Sequence, residues 1–334
     1  MFEVTQYPTR RRLFKMASLA MTSCAFCAST FAQSDYPSKP IKLVVPYATG
    51  GVSDAVGRVL ALALGKALQQ TVIVENRGGA GGTLGAGLVA KAPADGYTIL
   101  LTSPPMVAVA PALIRDLPYR SAEDFTPIGT VIVTPNVLVV NNELPVKTIA
   151  ELITYGKGPG KGSLSFASAG PGSTGHLSGQ IMMTTTGISM THIPYKSSGQ
   201  AFPDVISGRV SMVFDSLPST IGFIRSGRVK PLLVMSEKRS TVFPDVQTAA
   251  EAGFPAATMN FWMGIEGPAK LPQDIVNKLN TALKVAVNSP EMSQQMQTLG
   301  AEPYLTSPEE FKAQRNNDIA KYGKLVKEMG LKQE

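Results

Sequence analysis

The sequence is poor in the residues that hold metals or carry redox chemistry. Among its 334 residues are two cysteines, Cys24 and Cys27, and two histidines, His176 and His192. Both cysteines fall in a leading segment that reads as cleavable. The rest of the chain therefore has no disulfide and no thiolate ligand, and core packing must stabilise it. The histidines form no HExxH motif, so no metal and no cofactor is expected. Charged residues make up only 16% of the chain, too little for a disordered tail or a long coiled coil. There is no Lys/Arg cluster of the kind that neutralises phosphates, which argues against nucleic acid as a partner.

Long apolar runs are lacking as well. The stretch from Met16 to Phe31 contains Ser18, Thr22, Ser23 and Ser29 and is shorter than the roughly 20 residues that cross a bilayer. Arg10, Arg11, Arg12 and Lys15 precede it and Thr30-Phe31-Ala32 follows. Residues 1–32 thus read as an export signal cleaved near Ala32, with a periplasmic destination. Arg11-Arg12-Leu13-Phe14 resembles a twin-arginine signal, although Lys15 comes one place early, and both export routes stay open. Met21-Thr22-Ser23 before Cys24 makes a poor lipobox. Removing this segment takes away 4 of the 31 basic residues and 1 of the 24 acidic ones, so the net charge falls from +7 to +4.

What remains is 44% hydrophobic over the whole sequence and long enough for two domains. From Tyr36 onward, short β-branched runs alternate with helical-period stretches, the pattern of βα units around mainly parallel sheets. Ile41 to Val45 reads as a buried strand, and Ala55, Val56, Val59, Leu60, Ala63, Leu64 and Ala67 share one face of the helix after it. Strands are predicted at Thr71 to Val74 and Tyr97 to Leu101. The run from Pro127 to Val140, interrupted by Pro135, reads as two strands joined by a crossing segment. A second α/β series follows, with strands near 164–167, 190–194, 212–214 and 231–235. After a strand near 259–265 come three helices, starting at Pro272, Pro290 and Ser307, with Pro and Ser as start signals. Lacking strands of their own, these helices should pack back on the first domain. The expected organisation is residues 36–135 with 260–334 as one domain and 136–259 as the other, joined by crossings near 135–140 and 255–262.

Two loops stand out. Tyr47, Ala48, Thr49, Gly50, Gly51, Ser53 and Asp54 link the first strand to its helix, and Ser168, Ala169, Gly172, Ser173, Thr174 and His176 occupy the equivalent place in the second domain. Glycines let backbone approach a ligand, and a helix start offers unpaired N–H groups and partial positive charge, so each loop is a candidate anion seat. The simpler reading of either loop alone is an ordinary βα turn with a capping side chain. Lys196 and Asp215, each following a second-domain strand, and Ser103 after a first-domain strand are secondary candidates, since ligands of open α/β sheets bind beyond the carboxyl ends of strands. Ser173 and His176 raise the alternative of a periplasmic serine hydrolase acting on a small ester. Neither Ser173 nor Ser53 lies in a Gly-x-Ser-x-Gly elbow, and no orienting carboxylate is evident. Gly79-Ala80-Gly81 fails the dinucleotide spacing and reads as a structural turn. Phe261-Trp262 fits a core position better than a cleft wall.

Taken in order, Tyr36-Pro37-Ser38-Lys39-Pro40-Ile41, Pro46 with Gly50-Gly51, Asp54 and Arg58, Val74-Glu75-Asn76-Arg77 with Ala80-Gly81-Gly82, Asp95-Gly96-Tyr97-Thr98, Ser168-Ala169-Gly170 with Gly172-Ser173, His176-Leu177, Pro194-Tyr195-Lys196 and Gly264 with Pro268 resemble the Bug solute-binding receptors of tripartite tricarboxylate transporters. The likeness runs along the whole chain beyond the leading segment. It implies a type II periplasmic binding protein, two α/β domains closing on a small organic carboxylate, with no catalysis and with membrane transporter subunits as partners. The resemblance further implies that main-chain groups and ordered water of residues 47–54 and 168–174 hold the carboxylate. Thr49, Pro171 and Ser103-Pro104-Pro105-Met106 depart from the family pattern at the ligand's side-chain end. A monomer is expected.

Overall fold

The structure is a computed structural model that describes residues 1–2 and 36–330. The export-signal reading, Cys24 and Cys27 lie outside the described residues. Two sheets share one long strand. In the first, β1 (Ile41–Val45) lies between β2 (Val72–Asn76) and β3 (Thr98–Thr102), all parallel. In the second, β5 (Ser165–Ser168) lies between β6 (Thr191–Pro194) and β7 (Met212–Ser216), again all parallel. The antiparallel pairings all involve β4 (Phe125–Asn141) or β9 (Asn260–Pro268), the two crossing strands, with β8 (Val229–Val234) and β10 (Glu302–Pro303) as further partners of β4.

Ten α-helices cover these sheets among the described residues. They are α1 (Val52–Leu68), α2 (Thr83–Ala90), α3 (Ala110–Leu113), α4 (Ile149–Lys157), α5 (Thr174–Thr186), α6 (Ser198–Ile206), α7 (Leu217–Arg225), α8 (Gln273–Val287), α9 (Pro290–Leu299) and α10 (Pro308–Glu328). None is long and apolar enough to cross a membrane. Side-chain caps mark several starts: Thr148 accepts the Glu151 amide, and Ser307 with Glu310 forms a reciprocal capping box.

The run broken by Pro135 is one continuous strand rather than two strands with a joining segment. Proline has no N–H to give to a ladder, and Pro135 stands where β4 changes partner, from β9 on one side (Pro135 opposite Asn260) to β7 on the other (Asn136 opposite Ser216). At that point Asn136 N–H donates to the Met259 carbonyl, Met235 N–H to the Asn136 carbonyl and Met259 N–H to the Met235 carbonyl. Three chain segments are thus knotted by backbone bonds where the two lobes meet.

The registers fix which way the loops point. β3 ends level with Gly264, which pairs Thr130, and β4 continues five residues to Pro135. β7 runs antiparallel to β4 and ends opposite Asn136. The carboxyl ends of β1, β2 and β3 therefore face those of β5, β6 and β7 across the crossing. Helix α10 spans this division: Phe311 packs edge-on against Trp262 at 5.2 Å, while Tyr322 and Val326 join the apolar cluster of Phe166, Met182 and Met259.

Candidate functional site

On the first lobe, β1 delivers the chain to residues 46–51, and α1 starts at Val52 after Gly51, which supplies no side-chain cap. No side chain therefore caps the first-turn amides of α1, which is what an anion seat requires. Gly50 turns at a φ of 86°, a left-handed backbone that glycine adopts without strain. Asp54, 5% exposed, ties the loop from behind. Its Oδ2 accepts the Gly50 amide (2.9 Å) and Arg58 Nε (3.1 Å), and its Oδ1 accepts Arg58 Nη2 (3.0 Å) and Asn76 Nδ2 (3.0 Å). Burial pushes this carboxyl up, but the Gly50 amide, Arg58 and Asn76 outweigh it and hold Asp54 below the usual carboxylate range. Asp54 thus shapes the loop with both oxygens engaged.

Asn76 also donates to the Tyr47 carbonyl at 3.1 Å. The Tyr47 hydroxyl shares a hydrogen bond with Ser103 Oγ at 3.0 Å, and burial raises the phenol's pKa. Ala48, Thr49, Gly50 and Gly51 are exposed, and Ser53 is half-buried at the head of α1. A third loop closes on this one: a Cβ on Gly78 would stand 3.1 Å from the Ala48 nitrogen, and one on Gly82 3.4 Å from the Tyr47 hydroxyl. Residues 78–82 therefore pack closely against the 47–48 backbone and the Tyr47 ring.

On the second lobe, the loop after β5 is held by neutral groups. Ser168 Oγ accepts the Gly170 amide (3.1 Å) and lies 2.7 Å from His192 Nε2. The Gly172 amide donates to His176 Nδ1 at 3.2 Å, and Ser173 caps α5 by accepting the His176 amide at 3.2 Å. Ser173 Oγ also donates to the Gly170 carbonyl at 2.7 Å. Thr174 Oγ1 reaches Asn136 Oδ1 at 3.4 Å on the crossing strand. Gly175 admits no side chain, since a Cβ there would overlap the Phe214 carbonyl of β7. A Cβ on Gly172 would meet the Leu113 side chain, which is flexible and can shift. Ala169 is exposed on the loop.

The secondary candidates differ. Lys196 is exposed beyond β6. Asp215 ends β7 with Oδ1 accepting the Ser216 amide at 2.7 Å, while its buried Oδ2 makes no well-formed hydrogen bond. Burial pushes this carboxyl up against the opposing pull of Ser198, the Ser216 amide and Ser219. It sits beside Ser198 and Ser216, at the starts of α6 and α7. Trp262 is core, 1% exposed, with Nε1 donating to Asp318 at 2.7 Å.

Sequence reasoning picked out both helix-opening loops but missed that Asn76, His192 and residues 78–82 pack against or hydrogen-bond them. Asn76 is the last residue of β2, and His192 pairs Phe166 on the neighbouring strand. Among the described residues no group of acidic, histidine or cysteine side chains is placed to hold a metal ion. Nor does a hydrolase constellation form. Ser173 Oγ is engaged with Gly170 and the His176 amide, His176 Nδ1 faces the Gly172 amide, and Ser168, the serine that does meet an imidazole, is fully buried.

Two α/β lobes joined by crossing strands, with a helix start following a strand end in each, define the periplasmic solute-binding-protein class. The chain belongs to the tripartite tricarboxylate transporter receptor family, whose profile matches residues 56–331. It is 34% identical over 322 residues to protein BugT of Bordetella pertussis, covering 96% of this chain and 98% of that one. The solved periplasmic binding protein BugD aligns with a TM-score of 0.79 at 34% identity over 90% of this chain and 100% of that one. Rpa4515 of R. palustris, solved with adipate, aligns at 0.81 and 34% identity over 90% and 100%. MatC of Rhodopseudomonas palustris, solved with malate, aligns at 0.77 and 30% identity over 87% and 100%. The chain is accordingly a solute-binding receptor and not an enzyme.

Proposed function

We propose that this receptor captures a small organic carboxylate in the groove between its lobes and presents it to the membrane subunits of a tripartite tricarboxylate-type transporter. The observation that carries this reading is the confrontation of two helix starts, α1 after uncapped Gly51 and α5 after Ser173, across the crossing strands. Tyr47, Ala48, Thr49, Gly50, Gly51, Ser53 and Ser103 from one side and Ser168, Ala169, Gly172, Ser173 and Thr174 from the other form the proposed contact set, with Lys196 and Asp215 at its margin. Asp54 and His176 serve it from behind. Residues 36–135 with 260–334 form one lobe and 136–259 the other, and the protein acts as a periplasmic monomer after cleavage near Ala32.

Magnitudes are sufficient without a buried arginine in the groove. Hydrogen bonds to a charged group contribute about 1.5–3 kcal/mol each and a helix start up to ~2 kcal/mol. A few of them support micromolar affinity, about −8 kcal/mol, after ordering costs. The adipate and malate found in the two solved relatives support carboxylates as the solute class. Thermal unfolding against mono-, di- and tricarboxylates and aromatic acids tests the reading. A solute at about 100 times its dissociation constant should add about 2.7 kcal/mol of stability. A panel with no shift for any acid removes the proposal.

A further inference from the structure

We propose that His176 and His192 form a neutral imidazole brace that fixes the 168–174 loop in its receiving shape, and that protonation of His176 releases the Gly172 peptide from that brace. The two rings stack with centroids 4.1 Å apart and 17° between planes, and Phe166 stacks on His192 at 4.8 Å. Each ring grips a different point of one loop: His176 Nδ1 takes the Gly172 amide, and His192 Nε2 meets Ser168 Oγ, which itself accepts the Gly170 amide. The regulatory role rests on the carboxylate-capture reading; the geometry of the brace does not.

The two contacts respond differently to a proton. Ser168 carries a hydroxyl that turns, donating to a neutral imidazole or accepting from a protonated one, with the Gly170 carbonyl 3.2 Å away as the alternative acceptor. An amide cannot turn. With a proton on His176 Nδ1, the Gly172 N–H meets another donor and the contact becomes repulsive. Cations at stacking distance repel, so the second ring charges less readily than the first. Burial, and then the neighbouring His192, lowers the His176 pKa from 6.5 to about 4; burial alone lowers that of His192. The groups facing the pair are mostly uncharged: Gln180 from α5, 3.4 Å from His176 Nε2, Phe166 and Ser168 from β5, Phe214 from β7, and Val109 and Leu113 near Gly172. Asp215 at the end of β7 and Lys196 beyond β6 are the charges at this sheet end, and neither hydrogen-bonds an imidazole among the described residues.

The test needs no solute, so it fails independently of carboxylate capture. In ¹⁵N-labelled full-length protein, imidazole ring nitrogens and amide hydrogen exchange are followed from about pH 7.5 to about pH 4. At the upper end His176 should carry its proton on Nε2. Protection of the Gly172 amide, corrected for intrinsic exchange, should fall about tenfold along the His176 titration while amides of α1 keep theirs. His176→Asn places an amide oxygen where Nδ1 stands and should hold the Gly172 amide at every pH in the range. Gly172 protection that ignores the His176 titration, an acid limb unchanged in His176→Asn, or a neutral-pH proton on His176 Nδ1 would each overturn the proposal.

Discussion

The two lobes present similar loops to the groove and hold them by opposite means. In the first, a carboxylate, a guanidinium and an amide side chain clamp residues 47–54 from behind, and the interior holds a further ion pair, Arg315 Nη1 to Glu266 Oε1 at 2.6 Å with both side chains fully buried. In the second, imidazoles, hydroxyls and peptide groups perform the same task, and Asp215, whose Oδ2 is buried, lies at the end of β7 and bonds the Ser216 amide rather than the 168–174 loop. Either device keeps backbone N–H groups aimed outward without placing a fixed cation among them. The difference shows in what each lobe tolerates: the first depends on intact charge pairs, the second on its histidines staying neutral.

The deepest charge pair gives the strongest way to break this contrast. Arg315 also donates to the Ala122 carbonyl at 3.2 Å, whereas its Nε and Glu266 Oε2 have no partner among the described residues. Burial pushes Glu266 up, opposed by Arg315. Arg315→Met should cost about 3–5 kcal/mol by leaving a buried carboxylate uncompensated, and adding Glu266→Gln should recover much of that loss. Denaturant unfolding of the single and double variants measures both. Equal losses in the two would mean that packing of the long side chain, not charge, is what the first lobe needs.

Acid separates the lobes next. Asp54 is held below the ordinary carboxylate range, so its contribution is present above that range and disappears as pH falls through its folded value. His176 is lowered from 6.5 to about 4, so between those values the unfolded chain binds more protons and stability falls with pH. The second lobe should therefore begin to weaken at a higher pH than the Asp54 clamp. Burial also raises the Glu266 and Asp318 carboxyls, so the informative quantity is a difference. Melting temperature against pH should decline less steeply between 6.5 and about 4 in His176→Asn than in the parent. Superimposable curves would erase the distinction between the lobes.

The alternation of βα units was legible because each run of β-branched residues and each helical stripe is a local signal. Both helix-opening loops were legible for the same reason, as glycines between such runs. What escaped depends on partners distant in sequence. Asn76 earns its role from Asp54, 22 residues away, and His192 from Ser168, 24 away. Asp54 itself looks like a ligand contact until its two oxygens are counted against four donors. Pro135 misled because a proline inside an apolar run ordinarily ends a strand, and only the change of partner at the crossing makes the missing N–H harmless.

The finest distinction concerns two cations beside the two loops. Arg58 is half-exposed at its side chain yet committed, through Asp54 and through Asn76 Oδ1 at 3.3 Å, to shaping the first loop. Lys196 stands exposed beyond β6 with no ion pair among the described residues. Arg58→Ala should cost about 1 kcal/mol in denaturant unfolding, since it removes a half-exposed pair and two of the four donors to a buried carboxylate. Lys196→Ala should stay within about 0.5 kcal/mol of the parent. A charge free of structural duty still attracts anions at range, and that attraction is screened by salt. Removing it should slow solute association at low ionic strength and leave the dissociation rate nearly unchanged, measured by stopped-flow with whichever acid the thermal panel identifies. If Lys196→Ala instead destabilised the fold as much as Arg58→Ala, the second lobe would be using charge as the first does, and the contrast between them would reduce to one of burial.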